Sequence, residues 1–434
     1  RRFVPAQNTL RTLRERSPET LSLHYAVSFP GRQHKSSRNL RLSPLHSRLE
    51  SAGAEFTERM GWERPRWFNP ERRKIDPELS FEKPGWHSIH AEEHRSARES
   101  VVLFDQSTFG KLLVQGRDAE SVLQRLCAND ISKAHRRVIY TGMLNQRGGY
   151  ESDLTLMRLD EEIFLLVTGT GQPVRDRDWI RKNIKPEEHV TVTDMTGAYA
   201  VISIAGPKSR ELMNRVSSDN FSNSGFPYYT HRTVEVGPAM VRAARLSYIG
   251  ELGWELYIPS ESALPVFDVL FKAGENLGLK LAGVEALSSL RIEKGYCAWG
   301  LEIGPDDTPL QAGLEFAVKF EKRDWFIGRE ALIQQKAEGV SRRLVMLTVS
   351  DSIAFPHGGE PIWWNNKLVG RTTSGTFGHT LGCAVMMGYI GSVETKIDTM
   401  LNTGIFEVEI ACRRFSASVT LDTPYDPKSL ALHK

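Results

Sequence analysis

A chain of 434 residues carrying a net charge of only +3 has too little excess positive charge for its size to imply nucleic-acid binding. Its hydrophobic content of 40% and charged content of 25% are those of a globular protein, with length enough for about three domains. The longest apolar runs, such as Ile163 to Val167, are strand-sized and offer no helical membrane span. The cysteines, Cys127, Cys297, Cys383 and Cys412, lie far apart with no C-x-x-C. That argues against a disulfide scaffold and fits a reducing compartment.

Residues 1 to about 75 are basic, with sixteen Lys or Arg against seven acids. The plain reading is a solvated face; a surface that docks a further domain competes with it. Glu15 and Glu19 argue against a transit peptide, a class poor in acids. Arg11, Arg14 and Arg16 share a short helical stretch, and Glu55 to Met60 also reads as helix. In Gly61 to Phe68, G-W-E-R-P-R-W-F, Pro65 pushes Arg64 to an extended conformation. The two Trp and the Phe are too apolar for a free linker and predict an anchored strap.

His87, His90 and His94 follow at i, i+3, i+7. Imidazoles are metal ligands, but no Cys or acid at ligand spacing completes a site. The stretch is therefore read as an amphipathic helix entering the next domain, and no metal is predicted. Val101–Phe104 and Lys111–Gln115 read as strands, and Asp118 as the cap of a helix with apolar positions Val122, Leu123 and Leu126. Tyr140 to Leu156, Y-T-G-M-L-N-Q-R-G-G-Y-E-S-D-L-T-L, reads as a hairpin. Its arms are Val138–Leu144 and a strand running to about Leu159, joined by Asn145 to Gly149, where Asn and paired Gly tolerate a tight reversal. A third strand, Ile163–Thr168, follows. Asp153 sits in the second arm, either as an edge acid facing water or as an acid at a pocket floor, because burial costs free energy unless the group is paired or used.

Gly169-Thr170-Gly171 starts like G-x-G-x-x-G, but Val174 stands where the third Gly belongs and Pro173 interrupts, so no dinucleotide loop is predicted. Strands at 190–192, 198–204, 234–236 and 240–248 alternate irregularly with helices at 263–271 and 284–294. Frequent hairpins among them indicate an α+β fold rather than a doubly wound sheet. Glu255 lies on a strand in W-E-L-Y, and Arg291 late in a helix in S-L-R-I-E-K-G. One reading pairs Glu255 with Arg291 as a buried ion pair, or makes Arg291 a cation favoured by the helix dipole. The other makes them a pocket for a ring with amide-like N–H donors, since a carboxylate can accept two such bonds. From Glu330 a helix ends at Gly339. Short strands with polar turns then predict a small barrel or sandwich, with disorder beyond Pro427.

Several strings resemble one family. Arg14–Thr20, His24–Pro30, Leu42–His46 and Gly61–Phe68 resemble the segment joining flavin and folate domains in the sarcosine and dimethylglycine dehydrogenase group, and Thr423–Pro427 resembles its C-terminal end. A related phosphatase regulatory subunit shares these strings. The resemblance covers nearly the whole chain and implies a linker or cap at 1–75, a folate-binding domain of the aminomethyltransferase type at 76–330, and a β-barrel at 331–434. By the same resemblance, Asp153 falls on the family's essential aspartate. Tyr248 and Glu255, in S-Y-I-G-E-L-G-W-E-L-Y, fall on pterin-pocket positions, as does Arg291. D-D-T-P-L-Q-A-G-L and L-V-G-R-T-T-S-G with M-G-Y-I resemble the loop and barrel that complete that fold. The implied cofactor is tetrahydrofolate, with FAD held by a flavin domain of the parent enzyme and not by this chain. The implied substrate is a sarcosine-derived iminium. The implied compartment is the mitochondrial matrix, or the cytoplasm if the source is bacterial.

Overall fold

The computed structural model describes residues 4–75, 80–132, 136–392 and 395–434. The first segment holds α1 (Leu10–Ser22), α2 (His46–Ser51) and a hairpin of β1 (Ala54–Arg59) with β2 (Trp62–Phe68). β1 corrects the expected helix at Glu55–Met60. Met60 and Gly61 take φ of 53° and 81°, the paired positive values of a type I′ turn, and Arg59 pairs directly with Trp62. So short a stretch cannot sustain an isolated helix, whereas β2 offers it a ladder. The strap residues Trp62, Trp67 and Phe68 are buried as expected, and Phe68 packs with Leu45 and Leu49.

α3 (His87–Glu99) leads to β3 (Val102–Asp105), β4 (Gly110–Gln115) and α4 (Ala119–Leu126). Asp118 precedes α4, but it does not cap it; its carboxylate accepts from the His189 amide at 2.8 Å. Next come β5 (Val138–Leu144), β6 (Tyr150–Asp160), β7 (Ile163–Thr168), α5 (Pro173–Lys182) and β8 (Thr191–Asp194). They complete an antiparallel sheet in the order β5-β6-β7-β4-β8. β9 (Tyr199–Ala205), α6 (Ser209–Val216), β10 (His231–Val236), β11 (Ala239–Ala244), β12 (Gly253–Pro259), α7 (Ala263–Gly274), β13 (Lys280–Leu281) and α8 (Val284–Glu293) follow. Their strands join β3 in a second sheet, β10-β11-β12-β9-β3-β13, parallel only between β13 and β3.

Period-two alternation decides what each sheet buries. Leu154 and Leu156 of β6 pack on Val122, Leu123 and Leu126 of α4 and Ile180 of α5. Val138, Met157, Leu165 and Val167 turn the other way and meet Val201, Ala244 and Tyr257 of the second sheet. The far side of that sheet buries Trp254, Leu256 and Ile258 beneath α6 and α7. Removing such side chains from water stabilises by about 1.5–3 kcal/mol each, so the two sheets are held face to face.

After α9 (Pro309–Ala312) and α10 (Arg329–Glu338), six strands close a barrel: β14 (Arg342–Val349), β15 (Pro361–Trp364), β16 (Lys367–Gly378), β17 (Cys383–Gly391), β18 (Phe406–Ile410) and β19 (Arg413–Thr420). A short helix, α11 (Ile397–Asn402), covers one side. The chain is therefore an α+β fold ending in a closed barrel. The expected disorder beyond Pro427 is corrected: Ala431 and Leu432 are buried, and the Leu432 and His433 carbonyls accept from Arg245 and Asn223 at 3.1 and 2.8 Å. The tail is ordered because it satisfies a buried guanidinium. Among the described residues no helix is long and apolar enough to cross a membrane.

Candidate functional site

The β5–β6 turn forms because Asn145 braces it, its side-chain oxygen accepting from the Arg147 and Gly149 amides at 3.0 and 3.1 Å. Gly148 supplies the left-handed step at φ 81°. The hairpin register then sets Asp153 opposite Gly142. Asp153 shares its face with Met157, so it points into the space between the two sheets and not at α4 and α5.

Asp153 is half-buried. Burial raises its carboxyl to about 6, while the Tyr140 hydroxyl and the Gln172 amide hold the rise in check. Tyr140 donates to Oδ2 at 3.2 Å and Gln172 Nε2 reaches Oδ1 at 3.5 Å. Gln172 is itself fixed, donating to Ser152 Oγ at 3.0 Å and accepting from the Gly169 amide at 3.1 Å. A second acid lies behind. Asp176, one turn into α5, is fully buried, and among the described residues neither oxygen meets a donor at hydrogen-bond geometry. Burial raises it to about 7, the nearby Thr168 and Ser152 hydroxyls pulling it down and the charge of Asp153 pushing it up. A buried carboxyl without a bonded donor favours its protonated form.

Tyr248 lies in the loop before β12. Its hydroxyl donates to the Cys297 carbonyl at 2.8 Å, and its ring stacks on Tyr296 at 6.2 Å. It is close enough to Arg291, Glu302 and Asp153 to feel their charges, while burial drives its hydroxyl upward. Of the two readings of Glu255 and Arg291, the ion pair between them is not formed. Arg291, in the last turn of α8, donates to Glu302 Oε2 at 2.7 Å, to Ser374 Oγ at 2.7 Å and to the Tyr296 carbonyl at 3.1 Å. Burial opposes its charge, but Glu302, with Tyr248 and Cys297 adding to it, more than restores it. Glu302 lies on a loop and Ser374 on β16, so the guanidinium ties α8 to the barrel.

Glu255 of β12 instead accepts from the Tyr257 hydroxyl at 2.6 Å. Both residues face the inter-sheet space, where Tyr257 packs on the first sheet. Burial lifts the Glu255 carboxyl to about 7, with Tyr257 lowering it. The structure thus brings Asp153, Tyr248 and Arg291 into one electrostatic neighbourhood. Glu255 stands apart on the facing sheet, with acceptor capacity beyond its single bond.

Sequence reading missed Tyr140, Gln172, Asp176 and Glu302. Asp176 precedes the buried Ile180 by one helical turn, which is the one signal that could have marked it. Glu302 lies between Leu301 and Ile303 with no other cue. An open recess of about 870 Å³, lined by Asn129, Lys319, Phe320, Arg329 and Lys336 among others, does not include these acids in its lining.

The fold is that of the glycine-cleavage aminomethyltransferases. Residues 45–322 match the GCVT N-terminal domain, and residues 342–426 the glycine cleavage T-protein C-terminal barrel domain. The chain belongs to this aminomethyltransferase family, and within it is related to the sarcosine and dimethylglycine dehydrogenases. Residues 1–43 match the FAD dependent oxidoreductase central domain. The glycine cleavage system aminomethyltransferase T of Bartonella henselae superposes with a TM-score of 0.74 at 26% identity, covering 89% of this chain and 98% of that one. The 4-methylaminobutanoate oxidase (formaldehyde-forming) of Paenarthrobacter nicotinovorans is 40% identical over 98% of this chain and 51% of its own length. Mitochondrial sarcosine dehydrogenase of Mus musculus is 36% identical over 96% of this chain and 50% of its own. The mitochondrial pyruvate dehydrogenase phosphatase regulatory subunit of Mus musculus is 34% identical over 100% and 51%. The chain spans about half the length of these curated relatives.

Proposed function

We propose that this chain is the tetrahydrofolate-binding part of a sarcosine dehydrogenase-like enzyme. It would capture the carbon released by oxidative demethylation as 5,10-methylenetetrahydrofolate, leaving glycine. The observation that carries this reading is the pair of acids with raised carboxyls, Asp153 and Glu255, on facing surfaces of two sheets in an aminomethyltransferase fold. The named amine-oxidising relatives share one chemistry, attack on an N-methyl amine, which supports the substrate class.

Glu255 suits the edge of a pterin ring, because a buried carboxylate can accept two N–H bonds at once. Tyr248 offers an aromatic wall, and Arg291, already committed to Glu302 and Ser374, would hold that wall in place. Tetrahydrofolate supplies the nucleophilic amines. Asp153, with its carboxyl near 6, suits a general base or a counter-charge to an iminium. Enclosure between the sheets keeps water from the reacting carbon. In this reading FAD belongs to a flavin domain and not to this chain. Leu10, Leu21, Tyr25 and Val27 of the first segment are exposed and would lie against that domain. The mitochondrial labels of the sarcosine and dimethylglycine dehydrogenase relatives support the matrix as its place of action.

Calorimetric titration with tetrahydrofolate tests the reading; the expected result is saturable heat with one site. Absence of heat at high ligand would instead favour a non-catalytic regulatory module, the reading suggested by the phosphatase regulatory relative. Asp153→Asn should keep that heat and lower methylene transfer, with an iminium source supplied, by about 10²–10⁴-fold. Full transfer by the variant would remove Asp153 from the chemistry.

A further inference from the structure

The three histidines spaced along α3 acquire a partner that spacing alone could not reveal. His379, in the turn joining β16 to β17, comes 289 residues after His90, and its Nε2 lies 3.1 Å from His90 Nδ1. One ring nitrogen from each of His87, His90 and His379 lies within 4.8 Å of the others. The imidazoles of His87 and His90 pack on that of His379 with centroids 4.7 and 4.6 Å apart. Two nitrogens bound to one tetrahedral zinc are about 3.3 Å apart, so the His90–His379 edge already has the required length. His87 needs only a modest swing to close the triangle.

The hydrogen bonds around His90 orient it for this. Ser289 of α8 turns its Oγ to the Ala286 carbonyl at 3.1 Å, and His90 Nε2 and His94 Nδ1 both meet that oxygen at 2.7 Å. His94 keeps its proton on Nε2 for Glu293, so its Nδ1 takes the Ser289 proton and Ser289 accepts from His90 Nε2. His90 then carries its proton on Nε2 and presents a bare Nδ1 to His379. A hydrogen-bonded distal nitrogen is how metal-binding histidines are held in one tautomer. His87 Nδ1 is buried and meets no hydrogen-bond partner among the described residues. His94 is already engaged, its Nε2 meeting Thr380 Oγ1 at 2.8 Å and Glu293 at 3.2 Å.

We propose that His87, His90 and His379 form a site for a divalent transition-metal ion of the zinc class, pinning α3 to the barrel and leaving a fourth position open to solvent. Burial pushes His87 down to about 4 and His379 to about 3, with the nearby charges of Lys83 or Arg95 adding to it. The ligands are therefore neutral at pH 7, the form that binds metal. Glu293 on α8, already paired with Arg98 at 3.0 Å, lies close enough for its charge to act on His379. Imidazole ligands alone suit zinc, cobalt, nickel or copper and not calcium or magnesium.

The test uses the 434-residue chain stripped with chelator, then titrated with ZnCl2 by calorimetry and with CoCl2 by absorption spectroscopy. The expected result is one equivalent of each. The cobalt spectrum should show visible ligand-field bands and no near-ultraviolet thiolate charge-transfer band. His379→Asn and, separately, His90→Asn should weaken zinc at least about a hundredfold. Their tetrahydrofolate binding should persist, which keeps this proposal separable from the folate reading. No stoichiometric uptake by the native chain, a thiolate band marking Cys383 or Cys412 as ligands, or unchanged zinc affinity in His379→Asn would each overturn it. If a variant does not fold, the cobalt spectrum of the native chain still decides.

Discussion

Two buried acids in this chain end in opposite states. Glu293, where α8 meets α3 and the barrel, is pushed up by burial but brought down to about 2 by His94, Arg98 and Thr380. Its oxygens accept from the Thr380 amide at 2.9 Å and from Arg98 at 3.0 Å. Asp176, equally buried behind the hairpin, has no bonded donor among the described residues and sits near 7. Burial is common to both, so the difference lies in the partners. The junction with the barrel is built of saturated ion pairs, Arg98–Glu293 and Arg291–Glu302, and serves to fix two domains. The hairpin region leaves acceptor capacity open, which is what a binding or proton-transfer site requires.

The largest effect should come from breaking the saturated side. Glu302 accepts from Arg291, Thr373, Ser374 and the Ala298 amide. Glu302→Ala strands a buried guanidinium and should cost about 3–5 kcal/mol in urea denaturation. A loss below about 1 kcal/mol would mean that water already reaches Arg291. The open side should respond in the opposite sense. The folded-state value of Asp176, near 7, lies above that of an unfolded aspartate, so the native state holds the proton more tightly. Its stability therefore falls as pH rises from about 4 to 7. Asp176→Asn cannot ionise, so its advantage over the native chain should widen across that window by about 1–3 kcal/mol. Denaturation midpoints at pH 5 and 8 measure this, and a constant difference would show that Asp176 does not titrate there.

What was legible in the residues follows the same division. The hairpin could be read because alternation and turn chemistry are local: Leu154 and Leu156 alternate with Asp153, and Asn145 and Gly148 mark the reversal. The barrel strands were legible for the same reason. β1 was not, since its turn uses Met60 at positive φ, a residue with no turn preference. The partner of Arg291 could not be read from the residues because Glu255 and Glu302 both lie among apolar residues, and only the three-dimensional path of the chain chooses between them. Asp176 was hidden in the charged run V-R-D-R-D-W, where a buried acid and an exposed one look alike. His379 could not be linked to α3 at all, because its contact depends on how the barrel docks.

The smallest effect is the most discriminating for the site itself. Tyr140 is the strongest hydrogen-bond donor holding Asp153 down, across 3.2 Å. Tyr140→Phe removes about 1 kcal/mol of that stabilisation of the carboxylate and should raise Asp153 by about 0.7 of a pH unit. If the ionised carboxylate acts in methylene transfer, the acid limb of the rate profile moves upward by the same amount. The rate at pH 6 then falls about threefold, while that at pH 8 barely changes. The variant keeps its ring, which stacks on Phe316 at 6.2 Å, so its fold should be little affected. An equal loss at both pH values would point to a positioning role for the hydroxyl. An acid limb that stays in place would mean that the titrating group is not Asp153, and Glu255, raised to about 7 by burial, would be the acid to test in its place.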